Sequence, residues 1–366
     1  MIKVLHVFGK MDRGGAELRT VDLMPILWDK GVRFDFCTLL NGSGQLDARI
    51  RHIGGEVFPC PLRPGVFTFG RRFTKVLKTS NCDIVHCHVH YFSGYLVHLA
   101  HRVGIKGRIV HFRTTDDGKP LTLTRKVYHN TMKKMVDKHA TDILAVSNCA
   151  MEFTWGKNWQ RDVRAKVIYN GIDLSYFRKP VDRASVLQEI GIDGDSKVFI
   201  YVANMVPPKG HDILLEAVPK VLAEDSKTHF LLAGDGELRP ELQLRAKELG
   251  IDKNVHFLGV REDVPTLLRA SDCFVFPSLR EGLPGAVLEA VAANMRIVAT
   301  ALPGVEEIAK YTDLISFVPL GDKEALGEKL LQITKNPGEL SSVERQFPSE
   351  FDLRCCAGRL FELYCR

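Results

Sequence analysis

The sequence predicts an α/β protein made of two Rossmann-like, doubly wound parallel-sheet domains in series. Three observations lead there. The chain has 366 residues, enough for two domains of about 150 residues each. Short apolar runs alternate with helical stretches along its whole length. Most of those runs are continuously apolar rather than alternating, as strands are when helices bury both of their faces.

In the first half the predicted strands are residues 2–8, 34–40, 83–88, 108–113, 142–147 and 166–169. In the second half they are 197–203, 228–233, 255–258, 273–277, 296–300 and 315–318. The intervening helices are amphipathic. In one, Phe69, Phe73, Val76 and Leu77 recur at helical spacing, with Arg71, Arg72, Lys75 and Lys78 on other faces. Turn residues from Asn170-Gly171-Ile172-Asp173 to Lys179-Pro180 mark a boundary, giving domains 1–175 and 176–350. The stretch 335–350 is turn-rich and leads into a final helix over 351–364. Two such domains in series place a ligand cleft at the carboxyl ends of their strands.

Composition narrows the class. With 45% hydrophobic and 26% charged residues, the chain is neither disordered, collagen-like nor a small disulfide scaffold. Nine cysteines, an odd number without a Cys-x-x-Cys pair, point to reduced thiols in the cytoplasm. Residues 2–8 read as a buried strand rather than a signal peptide, and no run of 18 apolar residues spans a membrane. Charge is divided unevenly. Residues 1–178 carry 28 Lys+Arg against 15 Asp+Glu, whereas residues 179–366 carry 22 against 29. A first half at +13 suits an anionic lipid surface, a phosphorylated acceptor or a nucleic acid, or is simply a solvated basic surface.

The strongest local signal is Pro277-Ser278-Leu279-Arg280-Glu281-Gly282-Leu283-Pro284-Gly285-Ala286-Val287-Leu288-Glu289-Ala290. A strand ends at Pro277 and a Gly-rich loop follows. Pro284 is expected at the first helical position, where its missing N–H costs nothing. The backbone N–H groups of Gly282, Leu283, Gly285 and Ala286 then face the cleft as an anion site suited to a diphosphate. Glu281 lies in the loop. Glu289 lies more than a turn into the helix, placed to accept hydrogen bonds from a ribose diol. Gly14 and Gly15 follow the first strand, where a glycine pair lets backbone approach a phosphate or sugar.

These segments occur with others in a fixed order: Met11-Asp12-Arg13-Gly14-Gly15-Ala16-Glu17, Asp83-Ile84-Val85-His86-Cys87-His88, Val167-Ile168-Tyr169-Asn170-Gly171, Ala233-Gly234-Asp235-Gly236-Glu237 and Pro303-Gly304-Val305-Glu306-Glu307. That order, with the Glu-x7-Glu pair Glu281 and Glu289, resembles the family 4 glycosyltransferases over essentially the whole chain. The resemblance implies the GT-B architecture and a retaining, metal-independent transfer of a hexose from a nucleoside-diphosphate sugar, UDP or GDP, with no further cofactor. It implies an acceptor-binding first domain, a donor-binding second domain, and a last helix, residues 351–366, that returns to the first. It also implies roles. Lys209 in Pro207-Pro208-Lys209-Gly210 is the phosphate lysine, and His111 hydrogen-bonds the donor sugar; with Glu281 they form the expected catalytic set. Gly14, Gly15, Asn204, Lys209, Gly282, Leu283, Pro284, Gly285, Ala286 and Glu289 form the expected donor site. One departure stands out. The family usually has Gly-Arg before the lysine, and this chain has Ala203-Asn204. The clamp is then weaker, or Arg261 or Arg280 compensates.

Three further features need placing. His86, His88 and His90 alternate and would share one face of an extended strand, a spacing that suits either a metal or an acceptor-lining or structural role. Asp193-Gly194-Asp195 reads as a polar turn. The basic segments 63–78 and 124–138 are candidates for resting on anionic lipid, or are amphipathic core helices with a solvated face. The expected acceptor is a polysaccharide, glycolipid or lipid-linked sugar at the inner membrane face. The alternatives are a sugar-nucleotide epimerase on the same scaffold and a non-enzymatic binder of nucleotide sugars or nucleic acid. The nucleic-acid version lacks any recognisable groove-reading or RNA-binding module.

Overall fold

The computed structural model describes residues 1–63, 65–114, 120, 122–335 and 346–366, the side chains of residues 66 and 67 excepted. The turn-rich stretch 335–350 therefore lies largely outside the described residues. The chain forms two compact units. Unit 1 is Met1–Gly171 with Glu350–Arg366, and unit 2 is Ile172–Ser349. The first crossing falls four residues before the expected boundary, directly after the Asn170-Gly171 turn.

Unit 1 is built on a seven-stranded sheet. Its strands are β1 (Ile2–Phe8), β2 (Val32–Thr38), β3 (Val57–Pro59), β4 (Ile84–Cys87), β5 (Gly107–Phe112), β6 (Asp142–Ala145) and β7 (Ala165–Val167). They lie in the order β3-β2-β1-β4-β5-β6-β7, and every pair is parallel. The sequence pattern misses β3. It is a three-residue edge strand ending in Pro59, only partly buried, so it shows no apolar run. β7 begins and ends earlier than the expected 166–169 because Tyr169 already belongs to the turn before Gly171.

Unit 2 carries six parallel strands: β8 (Val198–Val202), β9 (His229–Ala233), β10 (Val255–Gly259), β11 (Cys273–Phe276), β12 (Arg296–Thr300) and β13 (Ile315–Val318). Their order is β10-β9-β8-β11-β12-β13. In each unit the order reverses once, between β1 and β4 and between β8 and β11. Loops leaving neighbouring strands diverge there, opening a crevice at the carboxyl ends.

The unit 1 core shows why the last helix belongs to it. Val4, Phe8, Phe34, Phe36, Ile84, Ile109 and Leu144 present one sheet face to the helix Gly15–Trp28 and to the helix Leu353–Tyr364. From the last helix, Leu353, Ala357, Leu360, Leu363 and Tyr364 enter that same cluster. Asp352 caps the helix, its carboxylate accepting from the backbone N–H groups of Arg354 and Cys355. The cap sets the start at Leu353, two residues later than expected. In the helix Val66–Ser80, Phe69, Phe73 and Leu77 are buried. The helical part of segment 63–78 is thus an amphipathic core helix, and Phe69 and Phe73 are not available to a lipid surface. Among the described residues no helix is long and apolar enough to cross a membrane.

Leu360→Ala tests the docking of the last helix. Leu360 is 4% exposed, so truncation should cost about 2–5 kcal/mol. The expected result is a lower urea midpoint for the tertiary signal of unit 1.

Candidate functional site

In unit 2 the candidate site is assembled from the ends of β8 and β11, the two strands at the reversal. After β8, the chain passes exposed Asn204 and enters a single 3-10 turn, Pro207–Lys209. Gly210 then adopts a left-handed conformation, φ 62°, at the entry to the helix His211–Leu222. A Cβ there would collide with the Pro277 carbonyl oxygen, so glycine alone lets the two loops touch. The Leu279 N–H donates to the Pro208 carbonyl at 2.8 Å and closes the contact.

That contact brings Lys209 to Glu281. The ammonium donates to Glu281 Oε1 at 2.5 Å, and the two side chains are 26% and 14% exposed. Ser278 Oγ donates to the same carboxylate oxygen at 3.2 Å. Tyr201 donates its phenol to the Lys209 carbonyl at 2.7 Å and lies 3.0 Å from Ser278 Oγ. Burial pushes the Tyr201 phenol well above its ordinary range, so it remains a donor. The His211 ring packs on Tyr201 with centroids 4.8 Å apart. Burial and the Lys209 charge lower its pKa to about 4, so it is neutral at pH 7. Lys209 is thereby held on both its backbone and its side chain by groups from β8 and the β11 loop.

The helix after the loop is Gly285–Ala292, with Pro284 as its N-cap. Pro284 therefore sits one position earlier than expected, where a ring without an N–H is tolerated equally. Gly285 and Ala286 open the helix and are partly exposed. Gly282, Leu283 and Pro284 are buried, and Leu283 turns its side chain inward. A Cβ on Gly304 would collide with the Gly282 carbonyl oxygen, so the helix Pro303–Ala309 supports the loop through bare backbone. Glu289 is half-buried, five residues into the helix. Of the two cations expected to offset Asn204, Arg261 is taken up by Asp263, with contacts of 2.7 and 2.6 Å. Arg280 is half-buried in the loop.

In unit 1, Gly14 is the N-cap of the helix Gly15–Trp28 and has no side-chain cap. A Cβ on Gly15 would meet nothing. Beside this turn, the alternating histidines do not behave as expected. β4 ends at Cys87, and His90 lies in a 3-10 turn at φ 50°, off the strand. The third member of the cluster is His6 of β1, the register partner of His86. Nitrogens of His6, His86 and His88 lie within 4.8 Å of one another, a spacing a metal could use. Hydrogen bonds already occupy both ring nitrogens of His86 and His88. His86 meets Tyr364 Oη at 2.8 Å and His111 Nδ1 at 3.1 Å. His88 accepts from Arg113 Nε at 3.0 Å and meets His6 Nδ1 at 2.9 Å. Arginine is always a donor, so His88 Nδ1 is unprotonated and its proton sits on Nε2, facing His6. That nitrogen has no lone pair for a metal. The cluster is a directed hydrogen-bond network.

His111 belongs to this buried layer. It is 1% exposed and its Nε2 is sealed without a partner, so the ring does not reach solvent as a contact to the donor sugar requires. Two residues further along the same strand face, Arg113 is half-buried at the carboxyl end. Sequence reading missed Arg113, Tyr201, Ser278 and Tyr364. Only Arg113 carried a signal, its i+2 spacing from His111 on a strand.

Comparison with known proteins agrees with this architecture. Residues 13–176 match the model of "Glycosyltransferase Family 4", and residues 196–336 match that of "Glycosyl transferases group 1". A capsular polysaccharide biosynthesis glycosyltransferase, CapH of Staphylococcus aureus, is 31% identical over 87% of this chain and 86% of its own length. The Escherichia coli UDP-Gal:alpha-D-GlcNAc-diphosphoundecaprenol alpha-1,3-galactosyltransferase is 28% identical over 71% of this chain and 68% of its own. Among solved structures, Anabaena HepE in complex with UDP and glucose superposes with a TM-score of 0.82 at 19% identity, covering all of both chains. The fold is that of the GT-B glycosyltransferases. The chain belongs to glycosyltransferase family 4.

The histidine layer has a measurable cost. Burial pushes His6, His86, His88 and His111 well below the ordinary imidazole value. The folded state keeps them neutral where the unfolded chain takes up protons. Their stabilising contribution is complete above about pH 6.5 and is lost as the pH falls below it. Urea unfolding at pH 7, 6 and 5 should show stability falling by up to about 1.4 kcal/mol per pH unit for each histidine that stays neutral. His6→Gln should flatten that slope.

Proposed function

We propose that this chain is a retaining, metal-independent hexosyltransferase. Its donor is a UDP- or GDP-sugar, and its acceptor is a polysaccharide, glycolipid or lipid-linked sugar. The observation that carries the reading is the Lys209–Glu281 pair at the head of the loop 282–286. The ion pair holds a cation in place against the loop that leads to the N–H groups of Gly285 and Ala286. Breaking the sugar–phosphate bond leaves charge on the nucleoside diphosphate, and preorganised donors stabilise it most as it develops. Glu289 is assigned to the ribose diol, and Gly14 and Gly15 to close backbone approach. His111 acts from the buried layer behind Arg113.

In the proposed step the anomeric carbon–oxygen bond to the diphosphate breaks. The acceptor oxygen bonds to the same face of that carbon, and its proton passes to the departing phosphate oxygen. Similarity to a UDP-galactose enzyme and to a structure holding UDP supports a UDP-sugar donor. The helix Leu123–His139 supports contact with an anionic membrane at the cytoplasmic face. Leu123 and Val127 are 78% and 60% exposed, beside Lys126, Lys134 and Lys138, and such a mixture suits an interfacial helix.

Thermal unfolding against UDP-, GDP-, ADP- and dTDP-sugars tests the donor site. One nucleotide family should raise the melting temperature by about 5 °C at saturating concentration, and Glu289→Ala should abolish the shift. The absence of a shift with every donor would reject the reading. Product analysis with and without an acceptor separates transfer from epimerisation.

A further inference from the structure

Among the described residues, the side-chain hydrogen bonds of Arg113 all go to neutral groups. Its Nε donates to His88 Nδ1 at 3.0 Å, Nη1 to Asn170 Oδ1 at 2.7 Å, and Nη2 to Thr20 Oγ1 at 3.3 Å. Thr20 spends its own proton on the Ala16 carbonyl, so its hydroxyl can only accept from the guanidinium. These partners come from three places in the fold: the first helix, the end of β4 and the turn after β7. The guanidinium is therefore fixed in position and orientation. Among the described residues three of its five N–H hydrogens are used, and two remain.

What Arg113 lacks among the described residues is a counter-ion. Among the described residues no carboxylate lies within ion-pair distance of it. Glu17 is the carboxylate in its field, and burial pushes the pKa of Glu17 upward. Arg164 of the same unit shows the contrast: it is 2.7 Å from Asp137 and 2.8 Å from Asp162. Burial pulls Arg113 down to about 10, so it is still fully charged at pH 7. A cation removed from water without an anion is costly, and such charges are normally paired. The network beneath it is polarised to keep it so. His88 accepts from Arg113 and donates to His6 in the neutral state, providing no negative charge.

We infer that Arg113 is an oxyanion-binding residue whose counter-ion is a phosphate group of the ligand. Its two remaining N–H groups form the fork that pairs with two phosphate oxygens. The inference deepens the transferase reading, in which both candidate ligands carry a diphosphate: the nucleoside-diphosphate donor and a lipid-diphosphate acceptor.

The test is calorimetric titration of the full chain with three probes: UDP, inorganic pyrophosphate and farnesyl diphosphate. Arg113→Gln should weaken at least one of them about tenfold or more, while the unliganded melting temperature changes little. Arg113→Lys keeps the charge but loses the fork, and should weaken the same probe by about three- to tenfold. It also decides the matter should the glutamine variant fail to fold. A loss confined to UDP identifies the donor as the source of the phosphate; a loss confined to farnesyl diphosphate identifies the acceptor. Affinities within about twofold of wild type for all three probes would overturn the inference, as would a wild-type protein that binds none of them. Failure of the wild type to bind UDP alone would count against the proposed donor, and the other two probes would still decide the role of Arg113.

Discussion

Parallel strands cannot be joined by tight hairpins, and each must be reached through a crossover that covers the sheet. Both units of this chain are built under that constraint. The crossovers bury each sheet on two faces and send every strand's carboxyl end into a loop on the same edge. Where the strand order reverses, between β1 and β4 and between β8 and β11, neighbouring loops separate. Gly14-Gly15, His88, Lys209 and Glu281 all follow strands at these reversals. The candidate site residues lie where the backbone leaves room, and residues only a few bonds from the strand ends inherit the rigidity of the sheet.

The two reversals use that room differently. In unit 2 a cation is compensated: Lys209 faces Glu281, and Tyr201 and Ser278 tie the pair to the strands below. The ion pair offsets the desolvation of both partners, and small residues at 210 and 304 allow the loops to close on each other. In unit 1 the corresponding edge is underlain by imidazoles, with a hydroxyl from the last helix at one end. A layer of neutral histidines is an unusual filling for a sheet face, since each ring must find partners for two nitrogens. The network achieves this for His86 and His88 and leaves one nitrogen each on His6 and His111. It supports a guanidinium without neutralising it.

Much of this was legible in the sequence because it depends on short-range patterns. Continuous apolar runs separated by amphipathic stretches follow from burial on both strand faces, and twelve of the thirteen strands can be located that way. The loop from Pro277 to Ala286 was legible because proline and glycine at a strand end leave few backbone alternatives. Pro284 was displaced by a single position, and β3 was missed because three partly buried residues at an edge carry no periodic signal. The histidine spacing misled for a definite reason. Alternation places residues on one face only while the chain stays extended, and β4 ends before His90.

The sequence by itself determined the fold class, the family and the two loops at the strand reversals, and it singled out Lys209, Glu281 and Glu289 as candidates. These rest on local propensity and on the order of motifs along the chain. Only the tertiary structure decided which partners those residues meet. Lys209 and Glu281 are 72 residues apart and His86 and Tyr364 are 278 apart, so no local pattern can pair them. The same holds for Arg113, whose neutral partners are assembled from three separated segments. Whether a charge has a counter-ion is a property of the folded neighbourhood, and the linear sequence does not contain it.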